Sequence, residues 1–151
     1  MARGDSAEAP TGVRPKLEKP VVLVLEDDVD ARSVLSIALR DADFDVREVG
    51  SLAEANAALG EIVPEVVVAD RSLPDGDGFV DFVASLRRDP RFVGTPCIAL
   101  TGGSSAKDIE DAVLAGCDVY FVKPVAPEVV VARVREQSMM RVRRRRDSTT
   151  A

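Results

Sequence analysis

Histidine is absent from the chain, and so is tryptophan. The first absence removes histidine-based metal centres and histidine acid–base catalysis together. Cysteine is scarce: Cys97 lies in an apolar run, Cys117 follows a helical pattern, and the two form no CxxC spacing. Both are therefore expected to act as buried small hydrophobes, not as a disulfide or redox pair. No apolar run approaches a membrane span, and the opening MARGDSAEAPTGVRPKLEKP lacks the apolar stretch of a signal peptide. A cytoplasmic location is the expectation that follows.

At 151 residues, 46% of them hydrophobic, the chain is long enough for one compact domain with a sizeable core but hardly for two domains. Charge is unevenly spread. Residues 21–132 hold nine Lys/Arg against twenty-one Asp/Glu, whereas residues 133–151 hold seven Arg against two acids. An acidic body with a basic end makes a poor nucleic-acid binder, so direct nucleic-acid binding is not expected. The composition suggests a flexible leader over 1–20, a domain over 21–138 and a basic tail over 139–151.

Short apolar runs recur at VVLVL (21–25), VVVA (66–69), CIAL (97–100) and VYFV (119–122), the signature of parallel strands buried on both faces. The more polar VREV (46–49) suits a strand at the sheet's edge. Helical spacing fills the gaps. Val34, Leu35, Ala38 and Leu39 share one side of the first helix; Leu52, Ala55 and Leu59 follow, with Ser51 as N-cap and Gly60 after the last turn. Phe79, Phe82, Val83 and Leu86 fall at i, i+3, i+4 and i+7. Ile109, Ala112 and Val113 are expected inward before a stop at Gly116, and a last helix begins near Pro127 and carries Val130, Val131 and Val134. Alternating strands and helices predict an α/β, doubly wound (βα)5 sandwich. Its five-stranded parallel sheet takes the flavodoxin-like order 2-1-3-4-5, with helices on both faces.

In such a sheet, ligands bind beyond the carboxyl ends of the strands. Glu26-Asp27-Asp28 follow the first run and Asp70 ends the third, and if these strands are neighbours the carboxylates converge. Clustered like charges need protons or a cation. With oxygen ligands alone, a hard cation such as Mg2+ fits, with Mn2+ as a substitute. Thr101 ends the fourth run and Lys123 follows the fifth, adding a hydroxyl and an ammonium at the same edge. Singly, Thr101 could be a helix cap and Lys123 a solvated charge. Together they supply the electrostatic equipment of phosphoryl transfer, with Asp70 as the nucleophile.

The acidic cluster in VVLVLEDD, the aspartate in VVVAD with RSLPDGDG after it, the threonine in IALTGG and the Lys-Pro in GCDVYFVKP, in this order, resemble a response-regulator receiver domain over roughly residues 20–138. The resemblance implies a bacterial two-component protein with Asp70 as phosphoacceptor and Asp27 as direct metal ligand. It implies that Glu26 reaches the metal through water and that Ser72 offers its backbone carbonyl, while Asp28 stays outside the ligand set. Pro74 and Gly78 match the turn after the third strand, Thr101 and Lys123 the phosphoryl-contacting pair, and Tyr120 the aromatic that changes orientation on activation. The peptide before Pro124 is usually cis in this family. The implied donor is a histidine kinase or phosphotransfer protein. The implied output is a changed face of helix four, strand five and helix five, read by a downstream protein target or a separate output domain. Homodimers through that face are frequent among such domains. The resemblance also implies a domain that catalyses only its own phosphorylation and slow dephosphorylation, and hence not an enzyme acting on a separate substrate.

Rival readings are a phosphorylation-independent pseudo-receiver and a metal-dependent phosphatase. A calcium loop starting at Asp75 would need Glu at its twelfth position, where Leu86 stands. The basic tail could complement the helix's negative end, keep the terminus soluble or dock an acidic partner. Whether the chain stands alone or was cut from a longer regulator is not legible.

Overall fold

Apolar runs without polar alternation form the middle of the sheet in the computed structural model, which describes residues 18–71, 78–102 and 105–150, with side chains through residue 141. Strands β1 (Val21–Leu25), β3 (Val66–Asp70) and β4 (Cys97–Thr101) sit in the interior; β2 (Asp45–Val49) and β5 (Val119–Val122) form the edges. All pairings are parallel in the order β2-β1-β3-β4-β5. β3 and β4 are buried at every position, whereas the edge strand β2 is buried only at Val46 and Val49.

Five helices cover the two faces: α1 (Val29–Asp41), α2 (Leu52–Leu59), α3 (Gly78–Arg88), α4 (Ala106–Ala115) and α5 (Pro127–Thr150). Strand residues alternate between two cores. Leu23, Val67, Cys97 and Ala99 pack on α2, α3 and α4. Val22, Val68, Ile98 and Leu100 pack on α1 and α5. The expected stripe of α3, Phe79, Phe82, Val83 and Leu86, is buried throughout, as are Val130, Val131 and Val134 of α5.

Side-chain caps start three of the helices. Asp28 Oδ2 accepts the Ala31 amide at 2.9 Å, Ser51 Oγ accepts Glu54 N–H at 3.1 Å, and Ser105 Oγ accepts Asp108 N–H at 3.1 Å. Gly60 and Gly116 end α2 and α4; Gly116, at φ 114°, takes the left-handed conformation that glycine adopts without a Cβ penalty.

Two expected inward residues face out. Val34 is 54% exposed and Val113 56% exposed. The buried line of α1 runs through Leu35, Ser36 and Leu39, and that of α4 through Ala112 alone. Sequence-adjacent helix positions stand about 100° apart, so a narrow contact buries one of them and turns the other to solvent. Cys117, expected buried, is only half-buried, because it lies in the turn between α4 and β5.

The backbone of α5 continues through residue 139, where the tail was placed, to Thr150. Arg141 Nη1 donates to Thr95 Oγ1 at 2.8 Å and to the Pro64 carbonyl at 3.3 Å, and Ser138 Oγ donates to Glu65 Oε2 at 3.4 Å. The first part of the basic segment is thus fixed to the sheet's amino edge. Most of the leader (residues 1–17), Ser72, Pro74, the Asp75–Asp77 stretch, Gly103 and the side chains of residues 142–151 lie outside what is described.

Candidate phosphoryl and metal site

Register brings the site together. Leu25 pairs with Ala69, Asp70 with Leu100, and Thr101 with Val122. Glu26, Asp70, Thr101 and Lys123 therefore stand side by side at the carboxyl edge of adjacent strands. Glu26, Asp70 and Thr101 are buried, and Asp27 is exposed.

One carboxylate oxygen from each of Glu26, Asp27 and Asp70 lies within 4.8 Å of the others. Lys123 Nζ donates to Glu26 Oε1 at 2.8 Å and to Asp70 Oδ2 at 3.3 Å. Two like charges 4 Å apart repel by about 4 kcal/mol at the effective dielectric of a protein surface. A single ammonium cannot balance three carboxylates at this range, so the cluster has room for further positive charge. The donors are all oxygen, as a hard divalent cation requires.

The electrostatics agree. Burial pushes the Glu26 carboxyl above its usual range, and a hydrogen bond with Asp70 pushes it the same way, against Lys123 and the Asp28 amide. For Lys123, burial opposes the charge, but the hydrogen bond to Glu26 and the attraction of Asp70 outweigh it, and its pKa is raised. The ammonium stays charged because the carboxylates hold it, and is available to any other anion placed there.

Local structure fixes each member. The Glu26 amide donates to Val49 O at 3.1 Å, its side chain accepts the Asp28 amide at 3.2 Å, and its carbonyl accepts Arg32 Nη1 at 2.8 Å. Asp28 caps α1, a task that accounts for its side chain without a metal. The Thr101 carbonyl accepts the Lys123 amide at 2.6 Å, which ties the hydroxyl-bearing and amine-bearing strand ends together. The Lys123–Pro124 peptide is cis. Gly78 is the first residue of α3, and Tyr120 is half-buried on β5 against the α2–α3–α4 core. A cavity of about 600 Å³ opens beside Glu26 and Lys123, walled by Val34 and Leu35 of α1 and by Pro124 and Val125.

Two residues escaped the sequence reading. Arg32 braces Glu26 from the second turn of α1 and pairs with Glu48 at 3.6 Å. Arg71, next to Asp70, lies over the Phe79 ring and reaches Asp108 of α4 at 3.5 Å. Neither carries a motif; both roles depend on which helices pack beside the strand ends.

The family model described as "Response regulator receiver domain" matches residues 22–135. The DNA-binding response regulator MtrA of Mycolicibacterium smegmatis is 35% identical over 126 residues, 83% of this chain and 52% of its own length. The transcriptional regulatory protein PhoP of Escherichia coli is 34% identical over 120 residues, 80% of this chain and 52% of its own. The chain thus spans about half the length of the curated relatives it matches. Among solved structures, the chemotaxis response regulator CheY4 of Vibrio cholerae superposes with a TM-score of 0.72 at 26% identity, covering 79% of this chain and 98% of that one. A CheY-like receiver domain protein from Methanospirillum hungatei reaches a TM-score of 0.77 at 20% identity over 84% of this chain and 99% of its own, which speaks to the fold alone.

Proposed function

Since this chain belongs to the response-regulator receiver domain family, the regulatory domain of bacterial two-component signalling, we propose that it switches by accepting a phosphoryl group on Asp70. The observation that carries this reading is the convergence of Asp70, Glu26 and Asp27, with Lys123 Nζ bonded to both Glu26 and Asp70. Asp27 and Asp70 would hold Mg2+ or Mn2+ directly, Glu26 through water, and the Ser72 carbonyl would complete the set. Bound there, the cation neutralises charge on the phosphoryl oxygens.

The chain's own residues do the rest. An Asp70 carboxylate oxygen attacks phosphorus, and the leaving group departs from the opposite side, the donor being a phosphohistidine of a kinase or phosphotransfer protein. Lys123 exchanges a carboxylate oxygen for a phosphoryl oxygen, and the Thr101 hydroxyl donates to another. Because Lys123 N–H is already bonded to Thr101 O, movement at either strand end is transmitted to the other and back along β5 to Tyr120, which pairs with Ala99. The face of α4, β5 and α5 then changes, and a downstream protein or an output domain reads it. The same reading assigns the chain to the cytoplasm; among the described residues no helix is long and apolar enough to cross a membrane.

Beryllofluoride, a phosphoryl analogue, tests the assignment. With Mg2+ it should shift the amide resonances of Asp70, Thr101, Tyr120 and Lys123 together. Mg2+ binding without any response to the analogue would favour a phosphorylation-independent interaction module.

A further inference from the structure

The chain's two cysteines, twenty residues apart in sequence, meet in the fold. Cys97 opens β4 and is wholly buried; Cys117 is half-buried in the turn before β5. Cys117 Sγ stands 3.3 Å from the Cys97 carbonyl oxygen and 2.9 Å from that of Val119. The backbones are held together beside them: Asp118 N–H donates to Cys97 O at 2.9 Å, and Cys97 N–H donates to Asp118 Oδ2 at 2.8 Å. That pairing sets Cys97 one strand spacing, about 5 Å, from Asp118, the residue after Cys117, and a disulfide spans Cα separations of about 4.4–6.8 Å. Both side chains belong to the same core beneath α3 and α4, and neither takes part in the carboxylate site.

Against the sequence expectation of two inert buried thiols, we propose that Cys97 and Cys117 form a peroxide-sensitive dithiol that closes reversibly into an intrachain disulfide. The two positions have unequal chemistry, as such a pair needs. The neighbouring Cys97 thiol draws the Cys117 thiol below its ordinary pKa despite its burial, while Cys117 Sγ–H donates to the Cys97 and Val119 carbonyls. Cys97 is driven well above its own, first by the neighbouring Cys117 thiol and then by burial. Cys117, only half-buried, is the thiol a peroxide can reach and is the nucleophile; Cys97, wholly buried beside it, is the resolving thiol.

The Cys117 thiolate attacks one oxygen of a hydroperoxide. The O–O bond breaks, and with one proton taken up the products are a Cys117 sulfenic acid and a molecule of water or alcohol. Cys97 sulfur then attacks the Cys117 sulfur; the S–S bond forms, the S–O bond breaks, and the hydroxyl leaves as water with the Cys97 proton. Both thiols are oxidised by one electron each and the peroxide is reduced by two. A dithiol reductant reverses the bond by exchange. The bridge would pin the turn between α4 and β5 to the start of β4, the strand that ends in Thr101. Disulfides in reducing compartments are mostly of this transient, sensing kind. The inference does not depend on Asp70 chemistry.

The test treats the full chain with hydrogen peroxide and reads it by thiol alkylation and peptide mapping, because the exposed Met139 and Met140 would confuse an intact mass. The expected result is joint loss of both free thiols, a linked Cys97–Cys117 peptide and full recovery with dithiothreitol. Cys97→Ser should stop the reaction at a dimedone-reactive sulfenic acid on Cys117, and Cys117→Ser should lose peroxide reactivity at Cys97. Far-UV circular dichroism confirms that each variant is folded; if Cys97→Ser is not, the wild-type map and Cys117→Ser decide. Two thiols that stay free on the folded wild-type chain, or a sulfenic acid on Cys117 that Cys97 never resolves, would overturn the proposal.

Discussion

Lys123 and Glu26 act in opposite directions on the same cluster, and their substitutions should separate accordingly. Lys123→Met removes the ammonium that bonds both Glu26 and Asp70. The metal-free variant should lose about 2–4 kcal/mol in urea unfolding, the cost of leaving a buried charge unpaired. It should also bind Mg2+ about tenfold or more tightly by calorimetry, since the competing cation is gone. Weaker Mg2+ binding in Lys123→Met would show that the lysine does not compete for these carboxylates. Glu26→Gln relieves the repulsion that burial and Asp70 impose on Glu26. Its metal-free stability should rise or hold, while Mg2+ affinity falls. These side chains were legible in the sequence because each stands just past an apolar run. Arg32 and Arg71 were not, since a brace across packed elements leaves no local pattern.

Among the elements, the α4–β5 junction is the most exposed to single substitutions. A Cβ at Gly116 would lie 2.7 Å from Arg87 Cγ, on a backbone at φ 114° that other residues avoid. Gly116→Ala should therefore cost about 1–3 kcal/mol in chemical denaturation. Arg87 itself donates to the carbonyls of Gly116, Phe92, Val93 and Thr95 and pairs with Asp118 at 2.9 Å. Arg87→Ala should cost about 3 kcal/mol, more than a surface ion pair is worth, because four carbonyls lose a charged donor. A loss under about 1 kcal/mol, with the denaturant slope unchanged, would contradict that role. Helix faces were readable where the apolar stripe is wide: all four expected residues of α3 are buried. On α4 the stripe narrows to Ala112. Periodicity cannot reveal that, because the width of contact depends on how close the helix sits to its neighbours.

At the scale of the whole molecule, the (βα)5 sandwich followed from apolar runs alternating with helical stripes, and its strand order from the flavodoxin-like pattern that alternation matches. The course of α5 past residue 139 did not, since a basic composition reads as a solvated tail whether or not the backbone is helical. Any cation that binds only the folded chain must stabilise it, by about 2.7 kcal/mol at a hundred times its dissociation constant. Saturating Mg2+ should accordingly raise the melting temperature of the wild type, and less so that of Asp27→Asn. With one tyrosine and no tryptophan, intrinsic fluorescence reports on Tyr120 alone, and it should change when a phosphoryl analogue binds. The most direct test of the central claim is intact mass after incubation with a small-molecule phosphodonor and Mg2+. The wild-type chain should gain one phosphoryl group, and neither Asp70→Asn nor the chelator-treated protein should gain any. A folded, Mg2+-binding chain that gains none, or that gains one with Asp70 replaced, would contradict the account.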